Sequence, residues 1–114
     1  MLPTLRSGQT VSYDQKESPT IGDIIVINVG GKQIIKRVAA LPGDTVIINQ
    51  GILYRNGSAI LEPYALLDSS DYGPITVPED HLFILGDNRA HSKDSRQIGC
   101  VHIDAYVGTI ILPE

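Results

Sequence analysis

Hydrophobic residues along the chain fall into short runs that are separated by glycine, proline and polar clusters. The clearest run is IIVINV at 24–29, a nearly continuous β-branched stretch of the kind that forms a buried strand. Two glycines at 30–31 predict a tight reversal, after which QIIKRVAAL at 33–41 runs back. The pattern therefore predicts a β-hairpin as the first well-defined unit of the fold.

Other short runs predict further strands at 10–14, 45–49, 51–56, 81–87 and 105–112. Residues 62–80 contain three prolines and an acidic, serine-rich middle, so we expect mostly loop there. The segment 88–99 is predicted to be a polar loop. Since helical periodicity is hard to find, we predict an all-β fold of antiparallel strands, a barrel or sandwich. One domain is expected over 1–114, with a small hairpin-and-loop lobe at approximately 50–80.

Composition and charge exclude several classes of function. The net charge is −4 and the nine basic residues form no stripe, which argues against nucleic acid as a partner. One cysteine, Cys100, cannot form an internal disulfide, and the three histidines are scattered, so we predict neither a metal site nor a cofactor. No stretch reaches the roughly 18 apolar residues that span a bilayer.

Two adjacent cations interrupt the apolar strand at 33–41. Because side chains alternate between the faces of a strand, Lys36 shares one face with Ile34 and Val38, while Arg37 lies on the other. Arginine stays charged, but a desolvated lysine can lose several pKa units and become a neutral amine near pH 7. Lys36 is therefore a candidate base, although a lysine that covers the sheet and extends its ammonium into water is the simpler interpretation.

A second charged stretch, GDNRAHSKDSR at 86–96, follows the strand at 81–87. Asp94 and Arg96 are spaced to form an ion pair that makes the loop rigid, and the hydroxyl of Ser92 or Ser95 could orient an amine. The alternative is an ordinary turn whose surface ion pairs contribute little. We predict that Gly86 lies in a turn that requires glycine, either because φ is positive there or because another group approaches its backbone closely.

Taken together, the blocks MLPTL at 1–5, GDIIVI at 22–27, KRVAALPGD at 36–44 and GDNRAHSKDSR at 86–96 resemble the motifs of bacterial type I signal peptidases. These Ser/Lys endopeptidases of peptidase family S26 remove signal peptides from exported preproteins. The short spacing is similar to that of Gram-positive enzymes. The resemblance implies a β-structured catalytic domain, an N-terminal membrane anchor, and a site at the membrane surface on the extracytoplasmic face of the cell membrane.

The resemblance also implies roles for individual residues. Lys36 matches the general base, and Ser92 matches the residue whose hydroxyl orients that lysine. Asp94 and Arg96 match the pair that braces the site, while Asp87 and Arg89 match positions expected to give structural support. The small residues of a signal peptide before the cleaved bond would need shallow apolar pockets, for which the candidates are Met1, Leu5, Ile34 and Ile35. The strand around Ile34 could also pair with the substrate backbone.

The sequence departs from the family motif at its first residue. The motif is Ser-Met-x-Pro-Thr-Leu, whereas the sequence here starts at Met1, so the nucleophile would precede residue 1. Ser7 is a poor substitute, because it lies where a turn is expected. We therefore expect a polypeptide of these 114 residues alone to be inactive, since removing the nucleophile costs on the order of a million-fold in turnover.

Two other functions remain open at this point. A self-cleaving repressor-type domain uses the same Ser/Lys pair on a related fold. A signal-peptidase-like assembly factor would bind a pilin or another exported protein without cutting it, and such a factor is expected to have lost the lysine. The presence of Lys36 therefore favours an enzyme.

Overall fold

The computed structural model of the chain describes residues 12–111, and its centre is the hairpin of β2 (Ile24–Val29) and β3 (Lys32–Ala40). Gly30 and Gly31 connect the two strands with φ angles of +58° and +80°. These angles suit a type I′ turn, whose twist matches that of the strands it joins. The hairpin is thus set by two residues that adopt a left-handed backbone at little cost.

The hairpin is part of a six-stranded antiparallel sheet. Its other strands are β1 (Ser12–Asp14), β8 (His81–Leu85), β9 (Val101–His102) and β10 (Tyr106–Ile111). The strand order is β1-β10-β2-β3-β8-β9. The fold is therefore all-β, as predicted, with the strand that carries both cations near the middle of the larger sheet.

A second, four-stranded sheet forms the lobe. Its strands are β4 (Thr45–Asn49), β5 (Ile52–Arg55), β6 (Ser58–Ala59) and β7 (Tyr72–Thr76), in the order β6-β5-β4-β7. The prediction of mostly loop over 62–80 was wrong for Tyr72–Thr76. Gly73 and Pro74 conceal this strand in the sequence, yet proline is tolerated because β7 is an edge strand and the ladder needs no donor on its outer side.

The segment predicted as a polar loop at 88–99 contains a 3₁₀ turn at Arg89–His91 and a short helix, α1 (Ser95–Ile98). A second 3₁₀ turn, Ile103–Ala105, precedes β10. The Asp94 side chain caps α1, and the Gln97 side chain accepts a hydrogen bond from the backbone N–H of Asp94, which completes a capping box. No helix within residues 12–111 is long and apolar enough to cross a bilayer.

The hydrophobic core is divided by the large sheet. Ile25, Ile27 and Val38 pack together on one side of it. A separate cluster joins the end of β3 and β8 to the lobe, with Phe83 at its centre against Val46, Leu53 and Val77. Phe83 is fully buried and its ring lies 5.5 Å from that of Tyr72, centroid to centroid. The second cluster therefore fixes the lobe to the sheet that carries the cations.

Replacing Phe83 with alanine should lower the free energy of unfolding by about 3–5 kcal/mol, because a large ring is removed from a core that cannot fully collapse. Urea unfolding followed by circular dichroism measures the change. Leu61→Ala is the control, since Leu61 is 89% exposed and its truncation should change stability by less than about 0.5 kcal/mol. Equal effects of the two substitutions would contradict this assignment of the core.

Candidate active site

The two adjacent cations of β3 lie on opposite faces of the large sheet. Lys36 pairs in register with Ile25 of β2. On its face of β3 it lies between Ile34 and Val38, and both of these belong to or pack against the apolar cluster that contains Ile25. Arg37 pairs with Leu85 of β8 on the other face. The alternation predicted from the sequence is confirmed, and it gives the two cations different surroundings.

The Lys36 amine is half-buried and contacts a neutral group. Its Nζ atom donates a hydrogen bond of 2.9 Å to Ser92 Oγ. The ion pairs formed among residues 12–111 do not include Lys36. Burial lowers the pKa of Lys36; the charge of Asp94 opposes this shift and the charge of Arg96 adds to it, so the net effect is a lowered pKa. The site thus favours the uncharged amine.

Ser92 connects the lysine to a buried carboxylate. Its Oγ accepts the hydrogen bond from Lys36 and donates one of 2.8 Å to Asp94 Oδ2. A hydroxyl has a single proton, so Ser92 can only act as an acceptor toward the amine while it donates to the aspartate. An uncharged amine that donates one N–H to Ser92 keeps its lone pair available to a third group.

Asp94 is fully buried and remains charged. Burial by itself would raise its pKa, but hydrogen bonds from the Arg96 side chain and the Gly86 backbone N–H outweigh burial and lower the pKa. The Arg96 Nε–Asp94 Oδ1 distance is 2.9 Å, and the Gly86 N–Asp94 Oδ2 distance is also 2.9 Å. The predicted Asp94–Arg96 pair is confirmed, and it partly cancels the negative charge next to Lys36.

Arg96 also extends to the lobe. Its Nη1 atom lies 3.2 Å from Asp68 Oδ2 and 3.2 Å from Ser70 Oγ, and its Nη2 donates to the Arg89 carbonyl at 2.8 Å. Asp68 and Ser70 were not predicted as partners of Arg96, because both lie in the stretch predicted to be loop. The serine-rich acidic composition of that stretch was the one available signal.

Gly86 provides the space in which Ser92 meets Lys36. A methyl group on its Cα would overlap the Ser92 side chain and would lie 3.4 Å from Lys36 Nζ. The prediction that this glycine is required by a close approach is confirmed. Any larger residue here would displace the serine from the amine.

Two buried ion pairs support the other side of the site. Arg37 binds Asp87 through two hydrogen bonds of 2.9 and 2.8 Å, and Arg89 binds Glu62 at 2.6 and 3.1 Å. Tyr64 links the pairs, because its hydroxyl donates to Glu62 while its ring lies 3.8 Å from the Arg37 guanidinium. Burial, followed by the charge of Glu62, raises the pKa of Tyr64 to about 12. Sequence reasoning singled out Asp87 and Arg89 but not Glu62.

The proposed substrate-contacting residues do not share one surface. Ile34 lines a groove on the Lys36 face, whereas Ile35 packs against Ile24 and Val26 of the opposite face. Met1 and Leu5 lie outside the described residues, as does Ser7. Residues 32–36 of β3 pair with β2, while β8 pairs with Arg37 and the residues that follow it. In the described part of the chain, no strand therefore covers the other edge of β3 beside Lys36.

A protein-family model described as "Signal peptidase, peptidase S26" matches residues 1–113. The chain belongs to this family. The match spans the segments that carry Lys36, Ser92, Asp94 and Arg96, so the geometry described above lies within the matched region.

Signal peptidases with similar sequences occur in bacilli. The chain is 40% identical to a signal peptidase I of Bacillus caldolyticus over 96% of its own length and 71% of that relative. It is 40% identical to a signal peptidase I of Bacillus amyloliquefaciens over 66% of its length and 46% of that relative. The chain thus spans about half to two-thirds of the length of such relatives.

The fold is similar to that of a crystallised signal peptidase I from Enterococcus faecalis V583. The TM-score is 0.71 at 30% identity, and the alignment covers 84% of this chain and 98% of the other. The all-β architecture is therefore that of a solved signal peptidase I.

The pKa of Lys36 should respond in opposite directions to two substitutions. Arg96→Gln removes a positive charge that lowers this pKa and should raise it, whereas Asp94→Asn removes a negative charge that raises it and should lower it further. Titration of selectively ¹³C-labelled lysine side chains by NMR measures both shifts. Amide spectra of each variant serve as the control for retention of the fold, and shifts of the same sign in both variants would contradict this electrostatic account.

Proposed function

We propose that this protein is a signal peptidase in which Lys36 is the general base and Ser92, Asp94 and Arg96 are positioning residues. The observation that carries the proposal is the 2.9 Å contact between the Lys36 amine and the Ser92 hydroxyl in a site that favours the uncharged amine. A base of this kind must be neutral at working pH and must be held so that its lone pair faces the attacking hydroxyl, and the Ser92 contact supplies that orientation. The resemblance of the segment KRVAALPGD at 36–44 to the family motif supports the same role for Lys36.

The reaction follows from an uncharged amine beside a serine hydroxyl. Lys36 Nζ takes the proton of the attacking serine as the serine oxygen bonds to the carbonyl carbon of the cleaved peptide. The resulting ammonium then gives the proton to the departing amine nitrogen as the C–N bond breaks, which leaves an acyl-enzyme. A water molecule attacks this ester with Lys36 again as the base, and the serine recovers its proton on release of the acid. Neither a metal nor a histidine takes part.

Ser92 contacts the proposed base directly, so we must ask whether Ser92 is itself the nucleophile. Its proton is committed to Asp94 and its lone pair to the Lys36 N–H, so it has no proton to give to the lysine in this arrangement. The Gly86 backbone also limits the movement of its side chain. These contacts suit a residue that orients the amine toward a different serine, which the family motif places directly before Met1.

The substrates under this proposal are the signal peptides of exported preproteins. Within residues 12–111 the edge of β3 at 32–36 opposite β2 pairs with no strand, so it offers backbone groups to an extended polypeptide, as in β-augmentation. Ile34 contributes to the apolar surface next to this edge. The remaining candidate contacts, Met1, Leu5 and Ile35, keep the roles that the sequence resemblance assigns to them.

Substrate chemistry also determines where the enzyme works. A signal peptide is held at the membrane by its apolar segment, so the site should act at the membrane surface on the extracytoplasmic face of the cell membrane. A membrane anchor in the full-length protein would keep the enzyme there. Neither nucleic acid nor a cofactor has a part in this scheme.

A non-catalytic assembly factor is the competing function. Binding an exported protein without cutting it requires no buried amine, and replacing Lys36 by an apolar residue would then remove a desolvation cost. The retained lysine, together with Ser92 and the Asp94–Arg96 pair, supports catalysis over binding alone.

Lys36→Met should abolish cleavage of an Ala-x-Ala peptide, with a loss on the order of a million-fold, because base and nucleophile act as a unit. The measurement uses the chain extended by its native upstream residues, and Lys36→Arg should be equally inactive since arginine stays charged. Lys16→Met is the matched control, as Lys16 is an exposed lysine that pairs with Asp23. Cleavage by Lys36→Met at the rate of the unsubstituted enzyme would show that Lys36 is not the base.

The pH dependence of kcat/KM identifies the base independently. Activity should rise with pH through the lowered pKa of Lys36, because only the deprotonated amine accepts the serine proton. Ser92→Ala should move this midpoint and reduce the rate while leaving measurable cleavage. Complete loss in Ser92→Ala with an unmoved midpoint in Ser92→Thr would instead make Ser92 the nucleophile. The 114-residue polypeptide alone is the negative control.

A further inference from the structure

We propose that a groove next to Lys36 binds an acidic side chain of the substrate polypeptide, so that preproteins with an aspartate or glutamate near the cleaved bond are preferred. This inference rests on the proposed function, since it names a feature of the substrate that the same site would select. The groove has a volume of about 300 Å³, and its lining consists of Val29, Gly30, Lys32, Ile34, Lys93 and Ile98. We call it the lysine groove.

The lysine groove lies next to the contact between Lys36 and Ser92. Ile34 lies on the Lys36 face of β3, two residues before the base, and Lys93 directly follows Ser92. One wall of the groove thus continues the base-bearing strand, while the other continues the segment that orients the base. A polypeptide bound across Lys36 along β3 would pass through this groove.

The charges at the groove are the reason for an acidic occupant. Lys32 and Lys93 are both exposed, and neither takes part in an ion pair within residues 12–111. Other cations near the site are committed: Arg37 to Asp87, Arg89 to Glu62, and Arg96 to Asp94. In a chain of net charge −4, two uncommitted lysines on one groove form a local positive site.

The spacing along β3 limits where the acidic residue can lie. A strand rises about 3.3 Å per residue, so Ile34 and Lys32 are about 7 and 13 Å from Lys36 along the strand. An extended substrate beside this strand advances by the same amount per residue. The acidic side chain should therefore lie about two to four residues from the cleaved bond.

A polypeptide fits these observations better than an anionic membrane surface does. Surfaces that recognise acidic lipids present clusters of about four to eight basic residues, whereas this groove has two. Its wall also includes apolar residues, Val29, Ile34 and Ile98, which suits a peptide side chain and backbone. We therefore take lipid binding as an outcome that the experiment must separate from peptide recognition.

The experiment measures kcat/KM for paired peptides with the extended, serine-containing chain. Each peptide has an Ala-x-Ala site and carries either aspartate or lysine at one position, which is the second or fourth residue before the cleaved bond or the second, third or fourth residue after it. Aspartate should be preferred by up to about fivefold at one or more positions, as expected for exposed charge pairs. Lys32→Glu/Lys93→Glu should reverse the preference, and Lys32→Gln/Lys93→Gln should abolish it.

Controls separate this inference from the proposed function. Lys16→Glu lowers the net charge by the same amount as Lys32→Gln/Lys93→Gln, at a surface outside the groove, and should keep the preference for aspartate. If no peptide is cleaved by the unsubstituted enzyme, the proposed function fails and the inference fails with it. If Ala-x-Ala peptides are cleaved with equal kcat/KM for aspartate and lysine, only the inference is overturned.

Vesicles test the competing ligand. Cosedimentation of the enzyme with phosphatidylglycerol vesicles, compared with phosphatidylcholine vesicles, should be the same for the Lys32→Gln/Lys93→Gln variant and for Lys16→Glu, which lower the net charge equally. Loss of binding to phosphatidylglycerol in the groove variant alone, with its peptide preference unchanged, would assign the lysines to lipid headgroups and overturn the inference.

Discussion

The site depends on keeping one amine sufficiently out of water to lower its pKa. Lys36 has a lowered pKa because burial disfavours its ammonium, and the opposing influence of Asp94 is offset by Arg96. This arrangement has a thermodynamic consequence. Between the lowered pKa and the ordinary value of 10.5, the unfolded chain binds a proton that the folded chain has released, so the free energy of unfolding rises with pH across that window. Below this pH window the folded protein holds an ammonium in a site that disfavours it, which lowers its stability. The proposed role as a base, rather than a gain in stability, explains a lysine at this position.

The lobe contributes to the site although it carries none of the groups that contact the lysine. Arg96, which compensates the charge of Asp94, is also held by Asp68, and Arg89 is held by Glu62. Both carboxylates lie in the connection between β6 and β7. Because Phe83 fixes the lobe to the large sheet, the packing of the core and the electrostatics near Lys36 are coupled through these two arginines.

Features that depend on residues close together in the sequence could be predicted, whereas features that depend on contacts between distant residues could not. The β2–β3 hairpin is evident because its signals, a β-branched run and two glycines, are local, and the opposite faces of Lys36 and Arg37 follow from strand alternation. Asp94 and Arg96 are two residues apart, so their pairing could also be anticipated. Asp68 and Glu62 could not be anticipated, since they meet their arginines across 28 and 27 residues of chain. Tyr72–Thr76 was missed because its pairing with β4, rather than its composition, makes it a strand.

The adjacent cations Lys36 and Arg37 of β3 cannot exchange places, because their surroundings differ. Arg37 is nearly buried, and its guanidinium meets the fully buried Asp87 through two parallel hydrogen bonds, a geometry that only a planar fork provides. Lys36 contacts a neutral hydroxyl and forms no ion pair among the described residues, and burial lowers its pKa. A lysine at 37 would satisfy Asp87 with fewer hydrogen bonds, and an arginine at 36 could never lose its proton. The same strand therefore carries one cation that stabilises the fold and one whose pKa the fold lowers, as the proposed base requires.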